Sequence, residues 1–151
     1  MKFTVPKINS FVLLKIPSAY FSGVRVVKIT ESEVVVVVKF RWINQNPFQS
    51  MYWATQGMAS ELATGVVMMQ EIGNSGKKMS MLVTQQTGEF VKKAVGRIQF
   101  ICTNDGSVAK VLQQAIQTGE GQEITLYSEG IDEEGDVVSK FTYRWSMKPK
   151  K

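Results

Sequence analysis

The apolar positions of the chain alternate between β-branched runs and one long helical stretch. VRVVKIT (Val24–Thr30) and EVVVVVKFR (Glu33–Arg41) are joined by a short Glu-Ser link. Such runs across a brief polar link predict an antiparallel hairpin. Five consecutive valines leave neither face of the second strand polar, which predicts burial on both: one against a helix, the other at a subunit contact. Upstream, PKINSFVLLKI (Pro6–Ile16) opens on a proline and stops before another, Pro17, as a short helix does. Downstream, Glu61 is the lone charged residue between Trp42 and Gln70. This window predicts a long buried helix that begins at about Ser50 or Met51, after the Asn-Pro turn, and runs to about Glu71. The segment GNSGKK then ends it.

That helix is rich in small residues: Ala54, Gly57, Ala59, Ser60, Ala63, Thr64 and Gly65. A glycine inside a helix costs roughly 1 kcal/mol relative to alanine, so close approach of other backbone is the expected compensation. MSMLVTQQTGEFVKKAVGRIQFICT (Met79–Thr103) reads as two strands or one long bent strand, with bends or bulges at Gly88 and Gly96. NDGSVAKVLQQAIQTGEGQ predicts a turn and a helix capped by Ser107, with Val111, Leu112, Ala115 and Ile116 on one face. Two alternating strands close the chain, Glu123–Ser128 and Val137–Trp145. The second sets Phe141, Tyr143 and Trp145 on one face and Lys140, Thr142 and Arg144 on the other. The loop between them, DEEGD, lacks the ligand spacing of an EF-hand and reads as a solvated hairpin tip. The whole predicts an α+β fold, an antiparallel sheet wrapped round one long central helix, as a single domain over residues 1–151.

Composition narrows the chemistry. The 151 residues include no histidine and one cysteine. This removes imidazole-based triads, imidazole metal ligands and an internal disulfide. Cys102, inside the apolar run RIQFICT, reads as a buried, inert thiol. The net charge of +5 owes much to Lys148, Lys150 and Lys151. No basic stripe interleaved with aromatics marks a nucleic-acid surface. MKFTVPKINS lacks the apolar core of a signal peptide and no stretch reaches membrane-spanning length, so a cytoplasmic, metal-free and cofactor-free protein is expected.

The order of elements resembles the hotdog fold of acyl-CoA thioesterases and dehydratases, over nearly the whole chain. In the branch typified by phenylacetyl-CoA and hydroxybenzoyl-CoA thioesterases, an Asn or Gln lies six residues before a His-Gly-Gly helix start. A catalytic Asp or Glu follows that His by eight or nine. Here Asn46 stands in the first place, Tyr52 where the His would be, Trp53-Ala54 where the glycines would be, and Glu61 nine residues beyond Tyr52. SELATG (Ser60–Gly65) and DEEGDVVSKFTYRWSMKP (Asp132–Pro149) resemble an uncharacterised branch of the same superfamily still more closely. The resemblance implies a two-fold homodimer, or a homotetramer as a dimer of dimers, with the site between subunits.

A thioester hydrolase of this kind needs backbone N–H donors at a helix N-terminus, a carboxylate base or nucleophile, and an amide that positions water or substrate. The resemblance assigns these to Trp53 or Ala54, to Glu61 and to Asn46. Burial without a basic partner raises the pKa of Glu61, as suits a general base. A pairing of Glu61 with a distant Lys or Arg, and an Asn-Pro turn role for Asn46, are the structural alternatives. Trp53-Ala54 adds bulk where two glycines would admit a carbonyl. Tyr52 can donate in place of the imidazole, and Trp53 is expected to pack in the core or to shape the pocket. Gln45, Gln49, Ser50 and Gln56 are further polar groups near the helix start, placed to line a pocket or to cap. Lys92, Lys93 and Arg97 are candidates for coenzyme A phosphates, or a solvated strand edge. The expected activity is hydrolysis of an acyl-CoA or related thioester; the alternative is a non-catalytic hotdog protein that binds an acyl chain or other apolar ligand.

Overall fold

The computed structural model describes residues 3–151; Met1 and Lys2, which the sequence reading includes in the domain, lie outside the described residues. Helix α1 (Val5–Lys15) carries its proline in the first turn, where a missing N–H forfeits no helical bond. Helix α2 (Pro17–Phe21), which the apolar spacing does not predict, starts on Pro17 in the same way. Strands β1 (Arg25–Ile29) and β2 (Glu33–Lys39) form the expected hairpin. Val34, Val36 and Val38 are wholly buried on one face of β2, while on the other Val35 is buried and Val37 partly so.

The long helix α3 (Trp53–Ser75) has 23 residues, and both ends lie further along the chain than expected. Met51 does not begin it: its backbone pairs with Gln45 in an antiparallel bridge, and its N–H ties that extended segment to the Ala94 carbonyl at 2.8 Å. At the other end Gly73 does not break the helix. A Cβ there would lie 2.5 Å from the Phe3 ring, so glycine at this position admits an aromatic cover. The stop is Gly76, in the left-handed conformation.

Strands β3 (Met79–Phe90) and β4 (Arg97–Thr103) are separate and do not pair with each other. Gly96, with φ of +75°, turns the chain into β4. Gly88 is not a bend: it stays in register opposite Phe141, and the bulge falls between Val83 and Gln85. Helix α4 (Ser107–Thr118) has Gly106 at its cap position, so Ser107 is its first residue and not its cap; Asp105 accepts the Ser107 N–H. Strands β5 (Gln122–Ile131) and β6 (Val137–Pro149) complete the chain and extend beyond their predicted limits.

Among the described residues, six strands make one antiparallel sheet in the order β1-β2-β4-β5-β6-β3. It curls round α3, which packs against β2, β4, β5 and β6 and against α2 and α4. Ala59, Leu62, Ala63, Val66, Val67 and Met68 of α3 join Phe100, Ile98 and the β2 valines in the core. Phe141, Tyr143 and Trp145 are buried as their alternation requires, with Lys140 and Arg144 outside. A sheet wrapped round one long helix is the hotdog fold. Its consequence for chemistry is that the start of α3 emerges at one end of the roll while the middle of α3 lies under β6.

Candidate active site

The approach to α3 is built by two asparagines. Asn44, buried in a 3₁₀ turn (Trp42–Asn44), donates to the carbonyls of Ser22 and Lys39 and accepts the Arg41 N–H. Asn46 closes the next loop on itself. Its Nδ2 donates to Ser50 Oγ at 3.0 Å and to the Met51 carbonyl at 3.4 Å, while its Oδ1 accepts the N–H groups of Phe48 and Ser50. Every valence of this amide is therefore occupied within the loop, which is the Asn-Pro turn role. Gln49, at the loop's tip, is exposed with φ of +60°.

This loop and the segment between β3 and β4 enclose an open groove of about 430 Å³. Its walls are Phe48, Tyr52, Trp53 and Phe90, with Asn46, Gln56 and Lys92 to Ala94 around them. Trp53 is 51% exposed and is a groove wall, not a core residue. Tyr52 occupies the N-cap position of α3, with its ring 5.8 Å from that of Trp53, and no side chain caps the helix. Among the described residues the N–H groups of Trp53 and Ala54 have no partner, so two donors stand at the positive end of the helix dipole. One turn on, Gln56 donates to the Met51 carbonyl through Nε2, but its Oε1 is buried with no partner. A buried orphan acceptor of this kind costs about 1–3 kcal/mol.

Glu61 lies two turns along α3 and does not line the groove. It is partly buried, and burial raises its pKa above the ordinary glutamate value. No ion pair involves it among the described residues. Its surroundings are the small-residue face of α3 and two rings of β6. The Tyr143 hydroxyl meets Ser60 Oγ at 2.6 Å and donates to the Gly57 carbonyl at 3.0 Å; Trp145 Nε1 donates to Thr64 Oγ1 at 3.0 Å. The Tyr143 phenol is pushed up to about 12, chiefly by burial and further by the Glu61 charge, against the lowering effect of Ser60. A Cβ on Gly65 would lie 3.4 Å from the Trp145 ring and 3.8 Å from Glu61 Oε1. Glycine at 65 thus leaves space between the carboxylate and the indole.

Lys92 is committed to the fold. Lys92 Nζ lies 2.7, 2.7 and 2.8 Å from carboxylate oxygens of Asp132, Glu134 and Asp136. The acidic hairpin tip is therefore closed on an ammonium, which holds Asp132 below its ordinary value. With three carboxylates on it, Lys92 has no charge to spare for a phosphate. Lys93 donates to the Phe48 carbonyl across the groove. Cys102 is buried, and burial, with the Asp105 charge second, pushes its thiol up to about 12.

One chain thus gathers Asn46, Tyr52, Trp53, Lys92 and Lys93 round the groove, leaves Gln49 and Ala54 outside its lining, and sets Glu61 on another face. Gln56 and Ser50, polar groups that the sequence places to cap or to line a pocket, both line the groove. Tyr143 escaped sequence reasoning as a site residue. The signal for it was a polar tip in an otherwise apolar inward row.

A family model described as "Domain of unknown function (DUF4442)" matches residues 7–147. No curated protein matches the chain. Among solved structures it is similar to PA5026 of Pseudomonas aeruginosa, described as a protein of unknown function and probable thioesterase. The identity is 21%, with 99% of each chain covered and a TM-score of 0.87. Thioesterase HI1161 of Haemophilus influenzae is similar at 11% identity over 99% of this chain and 93% of that one, with a TM-score of 0.76. A Q49A mutant of thioesterase PA1618 from Pseudomonas aeruginosa is similar at 9% identity over 99% and 97%, with a TM-score of 0.77. At these identities the likeness establishes the fold.

Proposed function

The chain belongs to the DUF4442 family, and we propose that it is a thioester hydrolase acting on acyl-CoA or a related thioester. The observation that carries this reading is Glu61: a half-buried carboxylate with a raised pKa and, among the described residues, no basic partner, on a helix whose N-terminus offers two N–H donors without a partner among those residues, beside a groove. The thioesterases among its structural neighbours support the same reaction class. The thioester carbonyl oxygen sits on the N–H groups of Trp53 and Ala54, which stabilise the oxyanion as it develops. Glu61 takes a proton from the attacking water and returns it to the departing sulfur, so the tetrahedral intermediate collapses to the carboxylic acid and the free thiol. Asn46 contributes by fixing the loop that carries Tyr52, not by touching the substrate.

Five residues at about 100° each set Glu61 about 140° round the helix from Gln56. The groove and the carboxylate of one chain therefore serve two different sites, each completed by a second copy. A two-fold homodimer, alone or doubled into a tetramer, pairs the Glu61 of one protomer with the groove of its partner. No helix is long and apolar enough to cross a membrane among the described residues, and we place the activity in the cytoplasm.

The test is thiol release from acyl-CoA thioesters of graded length by the purified protein. Hydrolysis that falls roughly 10²–10⁴-fold in Glu61→Gln, with the fold intact, supports the mechanism. Unchanged hydrolysis in that variant overturns it. Binding without hydrolysis by the wild type selects a non-catalytic acyl-binding role, which the bulk of Trp53 at the groove wall favours.

A further inference from the structure

Gln56 is 4% exposed, lines the groove, and carries an acceptor that the fold leaves unused. Its amide orientation is set by Nε2, which donates to the Met51 carbonyl at 3.3 Å. Turned over, Oε1 would face that carbonyl, acceptor against acceptor, so Oε1 is the open valence. Packing does not account for the residue: a methionine would fill a similar volume with no orphan atom. The glutamine is also lightly held. The Met51 carbonyl has a second donor in Asn46 Nδ2 at 3.4 Å, so the Gln56 side chain can swing into the groove without stranding it. One turn earlier stand the free N–H groups of Trp53 and Ala54. The start of α3 therefore offers donors for a carbonyl oxygen and, close by, an acceptor without a donor.

We infer that the groove selects thioesters bearing a hydroxyl or amide N–H a few bonds from the carbonyl, and that Gln56 Oε1 accepts the hydrogen bond from that group. The inference rests on the thioester reading and adds a specificity residue to it. Through its bond to the Met51 carbonyl the Gln56 amide reaches back to the turn that carries the Trp53 and Ala54 N–H groups. A hydroxyl on the third acyl carbon lies a few bonds from the carbonyl, and so does the first amide N–H on the thiol side. The chemistry is the same from either source.

Binding is measured by calorimetry in the Glu61→Gln background, where turnover does not consume the ligand. Two matched pairs are used: 3-hydroxybutyryl-CoA against butyryl-CoA, and the N-acetylcysteamine ester of butyrate against its ethanethiol ester. A hydroxyl source gives a preference of roughly 3–10-fold in the first pair, the worth of one hydrogen bond. An amide source gives it in the second pair alone. In either case the preference disappears when Gln56→Met is added, while the melting temperature holds or rises because the orphan is gone. Gln56→Leu serves as the second apolar variant should methionine misfold. Ratios unchanged by both substitutions, or no preference in either pair, overturn the inference. If the wild type hydrolyses none of these esters but shows a Gln56-dependent preference, the hydrolase reading fails and the binding assignment stands.

Discussion

Replacing Gly65 by leucine sets two effects of opposite sign against each other. Removing a glycine from the interior of α3 favours the helix by about 1 kcal/mol. A Cβ at this position makes ordinary contact with Trp145, at 3.4 and 3.5 Å, so alanine fits and Gly65→Ala should be stabilising or neutral. The outer carbons of leucine have nowhere to go. Trp145 is 5% exposed and tied through Nε1 to Thr64 Oγ1, and displacing it leaves a buried N–H without a partner. Overpacking costs about 1–3 kcal/mol and the lost hydrogen bond about 1 kcal/mol more. Net of helix propensity, Gly65→Leu should destabilise by about 1–3 kcal/mol, which at 2–4 °C per kcal/mol lowers Tm by roughly 2–12 °C. Gly57→Ala is the control: a Cβ there meets the Tyr143 hydroxyl at 4.0 Å, so the propensity gain should appear almost undiminished. Thermal and urea melts followed by circular dichroism compare the three variants with wild type. A Gly65→Leu protein that melts at or above wild type would refute the close cover of α3 by β6.

Glu61 has a raised pKa in the folded protein, so its ionised form is disfavoured there. Wild-type stability relative to Glu61→Gln should be level below the ordinary glutamate pKa and should fall as pH rises through the folded value; melts between pH 4 and pH 8 test this, and a Gln variant that melts lower at pH 8 would reveal a partner for the carboxylate. Tyr143→Phe should cost about 0.5–1.5 kcal/mol by denaturant titration, since Ser60 Oγ retains the Gly57 carbonyl at 3.1 Å. Lys92→Met should loosen the acidic turn, seen as faster amide exchange at Glu134 and Asp136, whose N–H groups bond to Asp132. The lowered pKa of Asp132 means that the clamp's contribution is fully present above the ordinary aspartate value and is lost as pH falls through the lower, folded-state value. Light scattering should report a dimer or tetramer at micromolar concentration; a monomer would overturn the shared site.

Local chemistry made much of the architecture readable in advance. The valine run, the proline at the start of α1 and the alternation of Phe141, Tyr143 and Trp145 each act within a few residues, so period and propensity place them without knowledge of the partner element. The isolation of Glu61 was equally plain, because charge spacing along a chain needs no coordinates. The ends of α3 were not readable. Met51 is held out of the helix by Ala94 and Gly73 is kept inside it under Phe3, and both contacts join residues distant in sequence. The same limit governs the site. Spacing aligned Asn46 with a family position, yet whether an amide faces substrate or its own loop depends on which partners lie close to it in space, and here Ser50 Oγ accepts from it at 3.0 Å and the Phe48 N–H donates to it at 2.8 Å. Lys92 read as a free cation until the hairpin tip from 40 residues later closed on it. Sequence by itself determined which groups the chain carries and the period on which they face; the tertiary structure alone decided which of them remain unsatisfied, because a hydrogen bond or ion pair across the fold is a matter of distance in space.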